Sequence, residues 1–431
     1  MHVVIIGNSA AGLSALEAFR RRDRTSQVTV ISAEGGRPYS RVLLPYYLRG
    51  RIRQRDLFIR PEGYYEGLDA RTVFGEAVVQ VDAEAQEVKL AGGRTVPYDR
   101  LLVATGSRAA VPPIDGLDGP GVQGFWTLDD ALRLDRGLRP GGRLMVLGAG
   151  FVALQAAWAA HRRGADVTVA ELEGRILPRV LDESASALLR AHIEQAGVRV
   201  ATDVCIAGLE RARGELCCTA DDADTYHVDL LVVATGVRPN DSVLPEAVSD
   251  QGRGLRVDAS METAVESVYA AGDVARAPLW AGGDDVLALW PVAVAQGRVA
   301  GANLAGAGLT CEGSLSGNVT EMFGVTVASV GRFVGASGER VVILEDLPGV
   351  EYLKIVLADD VPLSAVYLGE QQAVRLLGRL GPFIRYHRPL DDVRAFFDQR
   401  RFPGMAAAAP TRVSRLPRTV QATKETILCA S

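Results

Sequence analysis

The tightest constraint in this sequence is a unit that occurs twice, in which an apolar strand runs into a glycine-bounded turn, a helix and a second apolar strand. In the first copy Val3 to Ile6 leads into Gly7-Asn8-Ser9-Ala10-Ala11-Gly12, a helix-like stretch from Leu13 to Arg22, and a strand from Gln27 to Ser32. In the second, Arg143 to Leu147 leads into Gly148-Ala149-Gly150-Phe151-Val152-Ala153, a helix from Leu154 to Arg163, and a strand from Ala165 to Ala170. Strand, turn, helix and strand in that order predict an α/β fold with parallel sheets. The first glycine permits the tight turn and the last small residue lets helix and strand approach. The helix start then offers N–H groups and a positive dipole end to a pyrophosphate. One such turn is weak evidence; two in the right context predict two dinucleotide sites.

The copies differ in their polar residues. Ser9 stands where the middle glycine of the first turn is expected, and the end of the following strand is Ser32, which leaves Glu34 as the nearest ribose-binding acid. In the second copy Glu171 directly follows the strand. An acid there accepts hydrogen bonds from both ribose hydroxyls and repels a 2′-phosphate, which favours NADH over NADPH. Arg175, four residues on, works in the opposite direction.

The size of the chain, 431 residues with 48% hydrophobic content, allows more than one core. A net charge of -5 argues against a nucleic-acid binder. No run of eighteen apolar residues indicates a membrane span. The start, Met1 running straight into an apolar strand, predicts a cytoplasmic protein without a leader. The cysteines, Cys205, Cys217, Cys218, Cys311 and Cys429, show no metal-like or CxxC spacing and are expected as reduced thiols. No metal site is expected.

Further landmarks are ordered along the chain. Each unit is followed by an Ala-Thr-Gly turn, Ala104-Thr105-Gly106 and Ala234-Thr235-Gly236. Ala270-Ala271-Gly272-Asp273 puts an aspartate at a strand end, and Trp290-Pro291-Val292-Ala293 leads into Gln296-Gly297-Arg298-Val299-Ala300-Gly301-Ala302-Asn303. With Pro38-Tyr39-Ser40-Arg41 and Gly317-Asn318-Val319-Thr320-Glu321-Met322-Phe323-Gly324, this set resembles the two-dinucleotide-binding-domain flavoproteins, the pyridine nucleotide–disulfide oxidoreductase superfamily. Over roughly residues 1 to 390 it is most similar to the branch holding rubredoxin and ferredoxin reductases and the flavin portion of NADH-dependent nitrite reductase.

The resemblance implies two Rossmann-like three-layer domains, an FAD-binding domain (1–115 and 245–310) interrupted by an NAD-binding domain (116–244). A small α+β C-terminal interface domain (311–402) and an extended or disordered tail (403–431) follow; the tail could instead wrap along another subunit. By the same resemblance Gly7, Ser9, Ala10, Ala11 and Gly12 hold the FAD pyrophosphate, and Glu34, Arg41, Ala104, Thr105, Gly106 and Gly272 complete that site. Asp273 binds ribityl or pyrophosphate oxygens, unless it is only a helix cap after its strand. The helix starting near Ala293 aims its N-terminus at the flavin. Gly148, Gly150, Phe151, Val152, Glu171 and Gly236 hold NAD(H). Gln155 either positions the nicotinamide or lies on the helix surface.

Two departures from the family narrow its chemistry. No cysteine occurs before Cys205, and the segment where a redox-active thiol belongs reads Ser40-Arg41-Val42-Leu43-Leu44-Pro45-Tyr46. Thiol-relayed chemistry by the usual route is excluded, so electrons leave the flavin directly. Where many relatives place a lysine–glutamate pair near the flavin, this chain has Tyr46 and Gln155. No catalytic side chain is assigned, because hydride transfer needs positioning rather than a general acid or base. His387 reads as a surface residue.

The expected function is electron transfer between NAD(H) and an iron–sulfur carrier protein or iron–sulfur subunits through FAD, as a homodimer or within a hetero-oligomeric complex. A diaphorase-like subunit of a 2-oxoacid oxidoreductase such as phenylglyoxylate dehydrogenase fits. The alternatives are a stand-alone NADH oxidase or quinone reductase, and a non-catalytic flavin-binding structural or sensor subunit.

Overall fold

The computed structural model describes residues 1–396, apart from 213, 223, 246–248, 250–251, 332–338, 345–349, 372–373 and 391, together with residues 412–415. The chain divides into two compact units, Met1–Ala110 with Val237–Leu315, and Val111–Gly236 with Ser316 onward.

In the first unit five parallel strands lie in the order Val268–Ala270, Arg100–Val103, His2–Ile6, Gln27–Ser32, Ala70–Phe74. The inner strands are largely apolar because both sheet faces are covered there. Val3, Val4, Ile5, Leu101, Leu102 and Ile31 are buried completely. The helices Ala10–Arg20 and Trp290–Leu304 share this core with the antiparallel sheet of Val78–Asp82, Glu87–Leu90 and Thr95–Pro97, which contributes Val81, Val88 and Leu90. The two helices pack backbone to backbone. A Cβ built on Gly297 would lie 2.3 Å from the Ala11 carbonyl oxygen, and one on Gly301 would lie 2.2 Å from that of Ala15.

The second unit repeats the plan. Its parallel sheet runs Val122–Gly124, Leu230–Val233, Arg143–Leu147, Asp166–Ala170, Arg199–Ala201, with the helix Phe151–Arg162 following the glycine turn. An antiparallel sheet, Ile206–Ala212, Glu215–Ala220 and Thr225–Val228, shares a core with it through Leu209, Leu216 and Cys218. The order of strands about the central one is the same in both units. Only the origin of one edge strand differs: it comes late in the chain in the first unit and early in the second.

The same unit carries a six-stranded antiparallel sheet, in the order Gly317–Met322, Val325–Gly331, Val361–Gly369, Val350–Ala358, Arg340–Leu344, Arg412–Arg415. Two of its hairpins close over two residues that both have positive φ, Phe323 and Gly324 (49° and 86°) and Asp359 and Asp360 (47° and 61°). Such turns match the right-handed twist of the paired strands.

In the C-terminal region the helix Arg375–Arg385 buries Leu377, Leu380 and Ile384 on one face. Several expectations shift. The first helix starts at Ala10 and the helix packed against it at Trp290, because each begins directly on the turn that feeds it rather than one turn later. Residues 311–315 belong to the first unit, and the chain from Ser316 packs with the second. Of the tail, Arg412–Arg415 pairs antiparallel with Arg340–Leu344; the rest of 403–431 lies outside the described residues. Cys217, Cys218 and Cys311 are free thiols, but Cys205 is disulfide-bonded, against the expectation of reduced cysteines. Disulfide pairing depends on proximity in the fold, which sequence spacing does not report. His387 is exposed.

Gly301→Ala tests the helix contact. The added methyl meets backbone rather than a flexible side chain, so a destabilisation of about 1–3 kcal/mol is expected. It should be read as a lower melting temperature with loss of bound flavin during purification.

Candidate functional site: two dinucleotide cradles

In the first unit the strand His2–Ile6 ends at Gly7, whose φ of 125° only glycine adopts without strain. A Cβ there would lie 2.0 Å from the Ala104 carbonyl oxygen, and one on Gly12 would lie 2.0 Å from that of Gly7. Both glycines therefore serve close packing of turn, helix and strand. Ser9 is the N-cap residue, extended (φ -130°, ψ -158°), and its side chain makes no cap hydrogen bond. Leu13 N–H donates to Ser9 O, leaving the N–H groups of Ala10, Ala11 and Gly12 as first-turn donors, with no acid in that turn.

Around this turn the chain ends of neighbouring strands bring in the other expected residues. Thr105 and Asn240 are laced together: Thr105 Oγ1 donates to Asn240 O (2.8 Å), and Asn240 Nδ2 donates to Thr105 O (3.0 Å). Gly106, at φ 68°, has nothing within 4 Å of where a Cβ would stand, so open space lies beside it. Gly272 donates its N–H to the buried Oε1 of Gln296 (2.8 Å). Asp273 is followed by a turn, not a helix, which removes the helix-cap reading. Its carboxylate accepts a hydrogen bond from Ser107 Oγ (2.8 Å). Burial pushes its pKa up, against the pull of Ser107 and of the Arg41 guanidinium.

Glu34 is held rather than idle. Tyr39 OH donates to Glu34 Oε2 (2.5 Å), Arg41 Nη2 to Glu34 Oε1 (2.5 Å), and Arg41 Nη1 to Tyr39 OH (3.0 Å). Ala293 differs from expectation in one respect. Its N–H is already bonded to Leu289 O (2.9 Å), and Pro291 has no N–H, so the first-turn donors of that helix are those of Trp290 and Val292.

In the second unit Gly148 (φ 103°) again marks the strand end, and its Cβ would lie 2.6 Å from the Ala234 carbonyl oxygen. Gly150 is the N-cap, with nothing within 4 Å of where its Cβ would stand. Leu154 N–H bonds Gly150 O, which leaves Phe151, Val152 and Ala153 as first-turn donors. Gly236 has φ 115°. Glu171 is buried beside the turn; Oε2 accepts from Ala149 N–H (2.6 Å) and Oε1 from Glu173 N–H (3.0 Å). Arg175 turns into its own loop, donating to Leu181 O (3.4 Å) and Pro178 O (3.1 Å). Gln155 is 6% exposed, which rules out the helix-surface reading. Its Nε2 donates to Thr320 Oγ1 (2.8 Å) and Glu321 O (2.7 Å). The ring of Tyr46, in the first unit, lies 4.6 Å from the Arg49 guanidinium carbon.

Reading the sequence alone missed Ser107, Asn240, Gln296 and Thr320. Gln296 and Thr320 lie inside motifs that drew attention for other reasons, whereas Ser107 opens one three-residue strand, Asn240 follows another, and neither carries a local signal. Among the described residues no cluster of three or more His, Cys, Asp or Glu could hold a metal, and no helix is long and apolar enough to cross a membrane.

Each cradle fits a dinucleotide: a glycine turn, a helix start without a side-chain cap or an acid, and open space beside Gly106 or Gly150. Two in one chain define an oxidoreductase that works with two dinucleotide cofactors. The comparisons agree. The model of the pyridine nucleotide-disulphide oxidoreductase family matches residues 1–297, and the chain belongs to that family. It is 32% identical over 366 residues to the NADH-dependent phenylglyoxylate dehydrogenase subunit epsilon of Aromatoleum evansii, covering 84% of this chain and 87% of that one. It is 35% identical over 311 residues to the anthranilate 1,2-dioxygenase system ferredoxin--NAD(+) reductase component of Burkholderia cepacia (70% and 75%). The solved NAD-dependent persulfide reductase of A. fulgidus is 27% identical, with a TM-score of 0.82, 90% of this chain and 77% of that one being covered. The protein is an FAD-dependent NADH oxidoreductase, and its cofactors are FAD and NAD(H).

If Glu171 reads the adenosine ribose, Glu171→Ala loses charge-assisted hydrogen bonds and the repulsion of a 2′-phosphate. NADH affinity should fall roughly 10- to 100-fold, and the preference over NADPH should shrink with it. Titration of the variant with both nucleotides checks this; an unchanged preference removes the assignment.

Proposed function

We propose that this chain moves electrons between NAD(H) and an iron–sulfur protein or subunit, as a ferredoxin-type reductase or as the flavin subunit of a larger oxidoreductase complex. One observation carries the reading. Both dinucleotide cradles keep their turns and helix starts, while no cysteine precedes Cys205. FAD held here would supply a hydride acceptor able to release electrons singly, and no thiol of this chain stands at the usual family position to take them first.

The chain's residues hold and orient. The glycine turn at Gly7 and the helix start at Ala10–Gly12 take the FAD pyrophosphate, and Glu34, fixed by Tyr39 and Arg41, faces its adenosine ribose. Asp273, oriented by Ser107, accepts hydrogen bonds from the ribityl or pyrophosphate region. In the second cradle Glu171 takes the ribose of NADH. Arg175 is committed to its own loop carbonyls, which weakens the case for a 2′-phosphate and supports NADH over NADPH. The likeness to a phenylglyoxylate dehydrogenase subunit, which extends over most of both chains, favours the complex-bound form over a free-standing reductase.

An anaerobic visible spectrum, recorded before and after one equivalent of NADH, tests the reading. A flavin spectrum that bleaches on NADH and recovers with an oxidised ferredoxin or rubredoxin, but only slowly with air, is the expected result. Fast recovery in air alone points to an NADH oxidase. Bound flavin that NADH does not bleach points to a structural or sensing flavoprotein.

A further inference from the structure

The segment after Glu171 is fastened at both ends. Leu177 donates its N–H to Ala149 O (3.1 Å), on the glycine turn itself, and does so from a left-handed conformation (φ 47°) while its side chain is buried. A branched residue holds that conformation only where its surroundings impose it. Arg175 closes the loop onto Pro178 O and Leu181 O, and Ser186 Oγ donates to Ile176 O (2.9 Å).

The far end is Asp182. Its Oδ1 caps the helix Glu183–Gln195 by accepting Ala185 N–H (3.0 Å). Its Oδ2 accepts from both Tyr352 OH and Lys354 Nζ, each at 2.7 Å. These two residues lie on the strand Val350–Ala358 of the antiparallel sheet. Lys354 is one of three lysines in a chain with 47 basic residues, and its side chain is only 17% exposed. Burial opposes ionisation of Asp182, but the bonds from Lys354, Ala185 N–H and Tyr352 outweigh it and lower its pKa. On the same helix His192 Nε2 meets Glu351 Oε2 (2.6 Å). The sheet also grips the cradle helix, through Gln155 on Thr320 and Glu321 and through Trp158 beside Phe323, ring centroids 5.8 Å apart.

We propose that Lys354 and Tyr352 are positioning residues for NAD(H): by holding Asp182 they fix the loop 172–181 against the glycine turn, so that the antiparallel sheet sets nucleotide affinity. This rests on reading Gly148–Glu171 as the NAD(H) cradle. The loop is then already ordered when the nucleotide arrives, and its ordering need not be taken out of the binding energy.

The test uses the full-length holoprotein and the variants Lys354→Met, Lys354→Arg, Tyr352→Phe and Glu171→Ala. NADH binding is followed by fluorescence titration, turnover by steady-state kinetics, and loop order by amide hydrogen exchange over 172–181 without nucleotide. Lys354→Met and Tyr352→Phe should each raise the NADH Kd and KM roughly 2- to 30-fold, leave kcat and flavin content near wild type, and speed exchange in the loop. Lys354→Arg, which keeps a charged donor, should recover most of the affinity. Tyr352→Phe removes only a hydroxyl and decides the matter should Lys354→Met not fold. Wild-type affinity and exchange in Tyr352→Phe and Lys354→Met, alongside weak binding by Glu171→Ala, overturns the proposal and leaves the cradle standing. Wild-type NADH binding by Glu171→Ala overturns the cradle, and the proposal with it.

Discussion

The contact of the helix Ala10–Arg20 with the helix Trp290–Leu304 is the interaction on which the first unit depends. It joins pieces of chain separated by the first segment of the second unit, Val111–Gly236, and it does so at backbone distance because Gly297 and Gly301 have no side chains to hold the helices apart. Close helix approach of this kind maximises dispersion contact, and any methyl inserted at the crossing has only carbonyl groups to push against. The glycine turn at Gly7, the strand end at Gly272 and the buried Gln296 that receives the Gly272 N–H all keep their places relative to one another through this pair. The polar part of the FAD cradle is therefore a by-product of an apolar fit.

The two units solve the same problem with the same order of strands but with different acids. Glu171 lies directly at its strand end, is buried, and accepts two backbone N–H groups, so its carboxylate is oriented by the main chain. Glu34 lies two residues beyond its strand, is more exposed, and depends on the side chains of Tyr39 and Arg41 for its orientation. Backbone-held groups tolerate substitution of their neighbours better than groups held by long side chains, each of which loses rotamer freedom to make its bond.

The parallel sheets were legible in the sequence because doubly covered strands must be largely apolar, and both glycine turns were legible because positive φ at Gly7 and Gly148 excludes other residues. Less was visible of the polar lattice. Ser107 reaches Asp273 across 166 residues of sequence and Asn240 reaches Thr105 across 135, and neither leaves a local pattern. Gln155 looked like an ambiguous helix residue because its partners, Thr320 and Glu321, arrive from a strand more than 160 residues later. The same holds for Asp182, whose second oxygen meets Tyr352 and Lys354 from 170 and 172 residues further along the chain.

The interrupted first unit has a consequence for synthesis on the ribosome. Four strands of its sheet and its first helix have been made once Val103 is complete, but the edge strand Val268–Ala270 and the covering helix, which ends at Leu304, are not yet made. At roughly 5–20 residues per second, that gap lasts on the order of 10–40 s. During it the face of the helix Ala10–Arg20 that Gly297 and Gly301 will cover has no partner, although the second unit's parallel sheet is already being completed. The nascent chain thus carries a half-built first domain past a nearly finished parallel sheet of the second, and the order of closure is inner sheet first, outer domain last.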